Sequence, residues 1–418
     1  MQNTFALNLL FAFNTYSMNK LFERHDSYME LVPMNYVREI IKDIDWDSRL
    51  IAIRGPKGVG KTTMILQYIK SHFAPDDRHV LYFSADTGYF STHTLVDTAD
   101  SFAKTGGKYL FIDEAHKYVG WSSEIKEIYD LHRDLHIVLS GSSMLQINDG
   151  DADLSRRIIY YDMPGLSMRE FLKLDADIDI EAVSLEELLA HPNKFCSYVK
   201  SKCRPLEHFA RYLRVGYYPF YLESPKSYAT RLENVVNYTI DVELTKYRNL
   251  EVGNTRAVKA LLQVISQMVP YDVDIAKLSR ATGISRATAL RYLKNLEEVK
   301  MIHRLFSDLN SITDLQKPDK ILLDNTNLLY TLCSTTPEIG TVRETFLANQ
   351  LSATGHKLEY AGYKSGDFRV DDSIVIEVGG ADKGFRQLKG QENALVAADD
   401  IDSATPNKLP LWTFGFLY

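Results

Sequence analysis

The apolar and polar positions of the chain change their rhythm several times. Between residues 50 and 139, four short and mainly apolar runs (50–53, 80–83, 109–112 and 136–139) alternate with stretches such as 63–71 and 123–131, whose apolar residues return every three or four positions. Short runs bounded by polar residues fit buried parallel strands, and the stretches between them fit helices. The alternation predicts an α/β fold with a doubly wound parallel sheet.

From 166 to 247 only helical spacing is left, at 185–189, 206–213 and 232–244, punctuated by Pro192, Pro205 and Pro219. Farther on, Val258, Leu261, Leu262, Ile265 and Met268 share one helical face, 275–280 predicts a second short helix, and Ala281-Thr282-Gly283 makes a turn. Ser285 caps a third helix running to Glu298, and 302–305 and 320–323 supply two strands. This is a helix-turn-helix pattern with a wing. At 100° per residue, Leu290 and Leu293 face inward, so Ser285, Thr288, Arg291, Tyr292 and Asn295 are expected to point away. The last segment predicts a helix carrying Glu344, strands near 357–360, 367–370 and 373–378, a helix near 385–388, and an apolar end, 409–418, packed as a final strand.

Composition narrows the possibilities. The chain has 418 residues with 48 Lys plus Arg against 55 Asp plus Glu, a net charge of −7 that excludes a uniformly basic nucleic-acid binder. With 45% hydrophobic residues and no low-complexity tract it is a globular chain long enough for several domains. Cys196, Cys203 and Cys333 lack zinc-type spacing and read as reduced thiols, which predicts a cytoplasmic protein. Residues 6–13 are apolar but too few to span a bilayer, and no basic residue precedes them. Residues 1–17 are expected to be a loose extension or a product of an upstream start, with Met18 opening the natural chain.

The chemistry starts directly after the first strand, at Gly55-Pro56-Lys57-Gly58-Val59-Gly60-Lys61-Thr62, followed by Thr63 and the first helix. This G-x-x-x-x-G-K-[ST] phosphate loop lets backbone N–H groups turn around phosphates at a helix N-terminus. Lys61 is expected to reach the outer phosphates and the Thr62 hydroxyl to ligate Mg²⁺, so ATP and Mg²⁺ are the implied ligands. The strand 109–112 ends in Asp113-Glu114, 52 residues after Lys61. Asp113 would hold the magnesium and Glu114 would polarise the attacking water. At the tip of the strand 136–139, Ser140 or Ser142 could sense the outer phosphate or simply close a turn. Arg156 or Arg157 could offset charge in phosphoryl transfer, from the same subunit or a neighbour, although an arginine pair can equally be a solvated surface feature.

The phosphate loop, Ile112-Asp113-Glu114-Ala115, Ser140-Gly141-Ser142-Ser143, the Ser155-Arg156-Arg157 run and Pro164-Gly-Leu-Ser-Met-Arg-Glu-Phe171 together resemble bacterial and archaeal AAA-type ATPases. The members in question carry a C-terminal restriction-endonuclease-like domain of unknown function. The similarity extends through Val215-Gly-Tyr-Tyr-Pro219 and covers most of residues 20–418. It implies a P-loop ATPase core at 18–165, a helical lid or connector at 166–250, a winged helix at 251–328 and a small α/β nuclease-like domain at 329–418. It also implies that Arg156 or Arg157 faces nucleotide, and it puts Glu344, Asp367 and Glu377 at the acidic positions of a nuclease. The triplet Glu377-Val378-Gly379 has glycine where such a site needs lysine, so the domain is expected to be inactive unless Lys383 or Lys389 substitutes.

Between Lys277 and Arg304 seven basic residues stand against two acids, the one stretch where duplex DNA is a sensible partner, with Ser285, Arg286, Thr288, Arg291 and Tyr292 as candidate contacts. A protein-docking or regulatory role fits the same pattern. The expected function is Mg²⁺-dependent ATP hydrolysis coupled to movement of the winged-helix and nuclease-like modules, with double-stranded DNA, a protein or further copies of the chain as partners and no membrane. The alternative is a slowly hydrolysing nucleotide-gated switch that recruits a protein partner. A small-molecule kinase would share the loop, but no acceptor site is evident.

Overall fold

A computed structural model describes residues 18–141, 154, 156–247, 250–268, 273–307, 316–362 and 365–418. The reading of 1–17 as an extension, and Ser142, lie outside the described residues. The chain divides into two compact units, Met1–Met163 and Pro164–Tyr418.

The first unit opens with helix α1 (18–31) and continues β1 (Leu50–Arg54), α2 (Lys61–His72), β2 (Val80–Ser84), α3 (Leu95–Lys104), β3 (Tyr109–Asp113), α4 (Trp121–Leu131), β4 (His136–Gly141) and β5 (Ile159–Asp162). The five strands are parallel in the order β2-β3-β4-β1-β5. Successive side chains of a strand point to opposite faces, which explains the continuous apolar runs. Leu50, Ala52, Leu81, Phe83, Leu110, Ile112, Ile137 and Leu139 pack with α3 and α4, whereas Phe111 meets Tyr68 of α2 on the other face. Thr94 caps α3 by accepting the Asp97 N–H at 3.0 Å. Strand β5 has no counterpart in the predicted pattern, because its burial is intermediate or low throughout.

In the second unit, helices α5 (Met168–Ala176), α6 (Leu185–Ala190), α7 (Pro192–Lys202), α8 (Pro205–Val215) and α9 (Tyr228–Tyr238) precede a three-helix group, α10 (Thr255–Gln267), α11 (Ile275–Thr282) and α12 (Arg286–Glu298). The antiparallel pair β6 (Ile302–Leu305) and β7 (Lys320–Leu323) follows α12. Then come α13 (Thr326–Leu332), α14 (Ile339–Ala353) and a mixed sheet of β8 (Leu358–Tyr360), β9 (Phe368–Val370), β10 (Ile374–Gly379), β11 (Ala394–Ala398) and β12 (Lys408–Pro410), ordered β12-β11-β10-β9-β8. Helix α14 buries residues on nearly every side, as expected of a helix that is apolar all round.

Segments predicted as lid, wing and terminal domain share one buried polar network. The side chain of Asn327, fully buried on α13, accepts from Tyr217 N at 2.9 Å and Tyr228 OH at 2.5 Å. It donates to Tyr212 O at 3.2 Å and Leu213 O at 3.0 Å. The Val215-Gly-Tyr-Tyr-Pro219 motif is therefore held by the first turn of α13. The apolar end of the chain is packed, but after β12 it winds into a 3-10 helix, Leu411–Phe416, instead of extending as a strand. Trp412, Phe414 and Phe416 are all fully buried there, and the Trp412 indole N–H donates to Ile401 O at 3.0 Å.

Candidate nucleotide site

The phosphate loop leaves β1 at Arg54 and enters α2 at Lys61. Gly58 and Gly60 have φ of 89° and 99°, in the left-handed region that side-chain-bearing residues rarely adopt. At Gly55 the reason for glycine is contact, since a Cβ would lie 2.1 Å from Met163 O. Gly60 is the N-cap of α2 and offers no side chain, so the helix's first N–H groups are left for an anion. Pro56, Lys57, Gly58, Thr62 and Thr63 are half-buried around this curve, and Val59 is fully buried beneath it. Lys61 is buried, and its ammonium donates to Gly55 O at 2.8 Å and Pro56 O at 2.9 Å, inside the loop's own curve.

Asp113 closes β3 beside this loop and gathers three hydroxyls. Its Oδ2 accepts from Thr62 Oγ1 at 2.8 Å and from Tyr82 OH at 2.9 Å, and its Oδ1 accepts from Ser140 Oγ on the neighbouring strand β4. The Glu114 N–H donates to the same Ser140 oxygen at 3.2 Å, so Ser140, fully buried, ties both acids to β4. Burial, and then the Asp113 charge, push the Tyr82 phenol far above its usual range, so it stays a donor. Glu114 takes a left-handed conformation, φ 53°, directly after the strand. Its Oε2 is 3.1 Å from Lys117 Nζ and 3.6 Å from His116 Nε2, and Lys117 also meets Asp86 Oδ2 at 2.7 Å. Burial works against the Lys117 charge, but the Asp86 and Glu114 carboxylates outweigh it and hold the ammonium above its usual range.

Magnesium is implied by this fold, and the donors suit it. A hydroxyl and a carboxylate, already within 2.8 Å of each other at the loop's mouth, are the hard oxygens of a cation held by one or two protein groups with water and phosphate.

Two residues that the sequence pattern did not mark complete the site. Tyr82 is one, legible only as an apolar strand position; the other is Arg38, buried, whose guanidinium donates to Val59 O at 2.9 Å and braces the loop. The arginine pair is placed differently from expectation. Arg156 and Arg157 precede β5, whose Ile159 pairs with Ile51 and Asp162 with Arg54, so they lie by the start of β1, opposite the loop. Five strand residues separate the two ends, about 16 Å at roughly 3.3 Å each. Arg157 is engaged there with Asp130, at 3.2 Å. Neither arginine reaches the nucleotide site of its own chain.

In the second unit Ser285 caps α12, its Oγ accepting the Thr288 N–H at 3.1 Å, with Arg286 and Arg291 exposed. Tyr292 corrects the expectation: it is 2% exposed, and Asn295 is buried too, because α12 packs against α11 on one side and β6 on another. Tyr292 therefore offers no surface to a duplex. Arg304 is also spent internally, on Glu297 at 2.7 Å. Glu344 and Asp367 do come together, around Lys320, while Glu377 pairs with Lys383, and Lys389 is exposed.

Residues 47–172 match the family model described as an AAA domain. That stretch is similar to AAA domains and has the P-loop NTPase α/β fold. Residues 206–338 match a domain of unknown function (DUF8612), a span that includes both Tyr212 and Asn327 of the buried network. No curated protein matches the chain. Among solved structures, AMPPCP-bound DnaA from Aquifex aeolicus is 15% identical over 62% of this chain and 85% of its own, with a TM-score of 0.26. C. elegans PCH-2 is 16% identical over 38% of this chain and 44% of its own, with a TM-score of 0.23. S. cerevisiae Hsp104 in its ADP complex is 17% identical over 67% of this chain and 41% of its own, with a TM-score of 0.26. Likenesses at these TM-scores carry no functional argument. Among the described residues no helix is long and apolar enough to cross a membrane.

Proposed function

We propose that the chain binds ATP with Mg²⁺ at residues 55–63 and hydrolyses it. The observation that carries this reading is the Thr62–Asp113 contact, which sets the hydroxyl of the phosphate-loop helix against the acid of β3 at 2.8 Å. The loop N–H groups and the α2 N-terminus hold phosphate oxygens, and Lys61 exchanges its two loop carbonyls for the outer phosphates. Thr62 and Asp113 would hold a magnesium ion, which would draw off charge that develops on the phosphates. Glu114 accepts the proton of the attacking water. Arg156 or Arg157 acts in trans, entering the site of a neighbouring copy, since neither reaches its own.

Steady-state phosphate release tests the proposal. Glu114→Gln should abolish turnover with ATP binding retained. Wild-type protein that fails to retain ATP with Mg²⁺, or ATP retention unchanged by Lys61→Ala, would refute it.

A second reading, the slowly hydrolysing switch that recruits a protein partner, has one observation in its favour. Lys117 Nζ lies 3.1 Å from the Glu114 carboxylate, an ion pair that occupies the group which would orient the attacking water. Negligible wild-type turnover with or without DNA would select it. We further infer that the nucleotide cycle repositions the second unit, with double-stranded DNA meeting Ser285, Arg286, Thr288 and Arg291. A gel shift that weakens with salt and is lost in Arg291→Glu is expected; binding unchanged by that substitution removes DNA as the partner of this helix.

A further inference from the structure

The carboxylates that a nuclease would devote to a metal already have cations of their own. Lys320, the first residue of β7, is fully buried, yet it carries a charged group. Its Nζ stands 3.0 Å from Glu344 Oε2 on α14 and 3.3 Å from Asp367 Oδ1 just before β9. The same ammonium lies 4.8 Å from the Phe368 ring centre and 5.6 Å from that of Tyr360, where aromatic faces favour a cation. The other oxygen of Asp367 accepts the Val378 N–H at 2.8 Å. Burying an unpaired ammonium costs several kcal/mol, so a lysine with no exposure marks a place shaped to hold one.

The third carboxylate is satisfied by a different route. Gly379 occupies the position where the nuclease triplet would have its lysine, and a Cβ there would meet Lys383 Cβ and Cγ at 2.5 Å. The Lys383 side chain thus runs through the space that a side chain at 379 would fill, and its ammonium pairs with Glu377. Burial raises the Glu344 carboxyl above its usual range against the pull of Lys320, with Asp367 adding to the rise. Glu344 and Asp367 thus share Lys320, and the Glu377–Lys383 pair lies close enough for the Asp367 charge to act on Glu377. A divalent ion would have to displace at least one ammonium or sit beside it, a like-charge contact in a poorly solvated site. With Lys320 and Lys383 already on these carboxylates, the donor set does not fit the metal that the resemblance implies.

We propose that Lys320 is the resident cation of this cluster, its ammonium standing in for a divalent metal and keeping Glu344, Asp367 and Glu377 from binding one. The cation is delivered by the β6–β7 hairpin, where Lys320 pairs with Leu305, and closes an acidic site formed by α14 and the β8–β12 sheet. The residues involved all belong to the second unit, so the proposal stands or falls apart from the ATPase reading.

The test is Mn²⁺ uptake by the full nucleotide-free chain, followed by the electron-spin-resonance signal of the free ion. Wild type and Asp367→Asn should take up Mn²⁺ identically. Lys320→Met should gain a site about tenfold or more tighter than anything in the wild type, and Lys320→Met combined with Asp367→Asn should lack it. If Lys320→Met alone does not fold, the charge-balanced pair Lys320→Met with Glu344→Gln takes its place and should gain the same Asp367-dependent uptake. Wild-type uptake that Asp367→Asn removes would overturn the proposal, as would wild-type DNA cleavage with Mn²⁺ lost in that variant. A folded variant without Lys320 that takes up no more Mn²⁺ than wild type would overturn it equally.

Discussion

Thr62 Oγ1 donates to Asp113 Oδ2 across 2.8 Å, although 51 residues separate them in the chain. The contact fastens the first turn of α2 to the end of β3, and Tyr82 and Ser140 hold the same carboxylate from the strands on either side. The hydroxyl and the acid are thereby set before any ligand arrives, so little ordering is left for the binding step.

Thr62→Ala should separate metal binding from nucleotide binding. The expected result is an ATP affinity about tenfold weaker in Mg²⁺, one lost charge-assisted contact, with affinity in EDTA unchanged. Fluorescent-nucleotide titration in the two buffers checks it.

Gly55→Ala should be poorly tolerated. Its Cβ would approach Met163 O to 2.1 Å, and that oxygen belongs to the backbone, so the loop or the end of β5 must shift. A loss of about 2 kcal/mol or more is expected, within the range for overpacked sites, together with loss of nucleotide binding. Gly88→Ala, with nothing within 4 Å of the added carbon, is the matched control in urea unfolding.

His25 predicts an acid-sensitive fold. Its ring nitrogen accepts the Tyr82 N–H at 3.0 Å, and burial lowers its pKa from 6.5 to about 4, against a rise from Asp26 and with help from Arg78. The unfolded chain binds the proton more readily, so this stability is complete above pH 6.5 and is lost as pH falls toward 4. The amount is on the order of 3 kcal/mol. His25→Gln, which keeps an acceptor without titrating, should flatten the pH dependence of unfolding between these limits.

Asn327→Leu should destabilise the second unit strongly. The amide serves Tyr217 N, Tyr228 OH, Tyr212 O and Leu213 O, and leucine keeps the volume while leaving all four without that partner. Each orphaned buried group costs about 1–3 kcal/mol, so the melting temperature of the unit should fall by several degrees, with nucleotide binding as the readout that the first unit is intact.

Local pattern was enough for the phosphate loop, the Asp113-Glu114 pair, the four core strands and helices α2, α4, α6 and α8 to α12, but not for α3, α5 and α7, because each legible feature depends on spacing within a few residues. A glycine that must be left-handed, a helix cap or an apolar run has its reason next to it in the chain. Strand β5 escaped notice because its exposed positions carry little of the apolar pattern, and β11 because Ala394–Ala398 was not distinguished from its surroundings.

Whether a residue faces its site was decided by partners far away in sequence. Tyr292 turned inward because α12 is packed from two directions, which a single amphipathic stripe does not anticipate, and the arginine pair fell at the end of the sheet away from the loop of its own chain once β5 paired with β1. Arg38 and Tyr82 entered the nucleotide site, and Lys320 the acidic cluster, through contacts spanning 21, 31 and 47 residues. Amino-acid order alone thus determined most of the backbone elements and the form of the phosphate loop. Only the folded chain decided which charges meet, because electrostatic pairing depends on distance through space and on exclusion of water, and neither is written in a local run of residues.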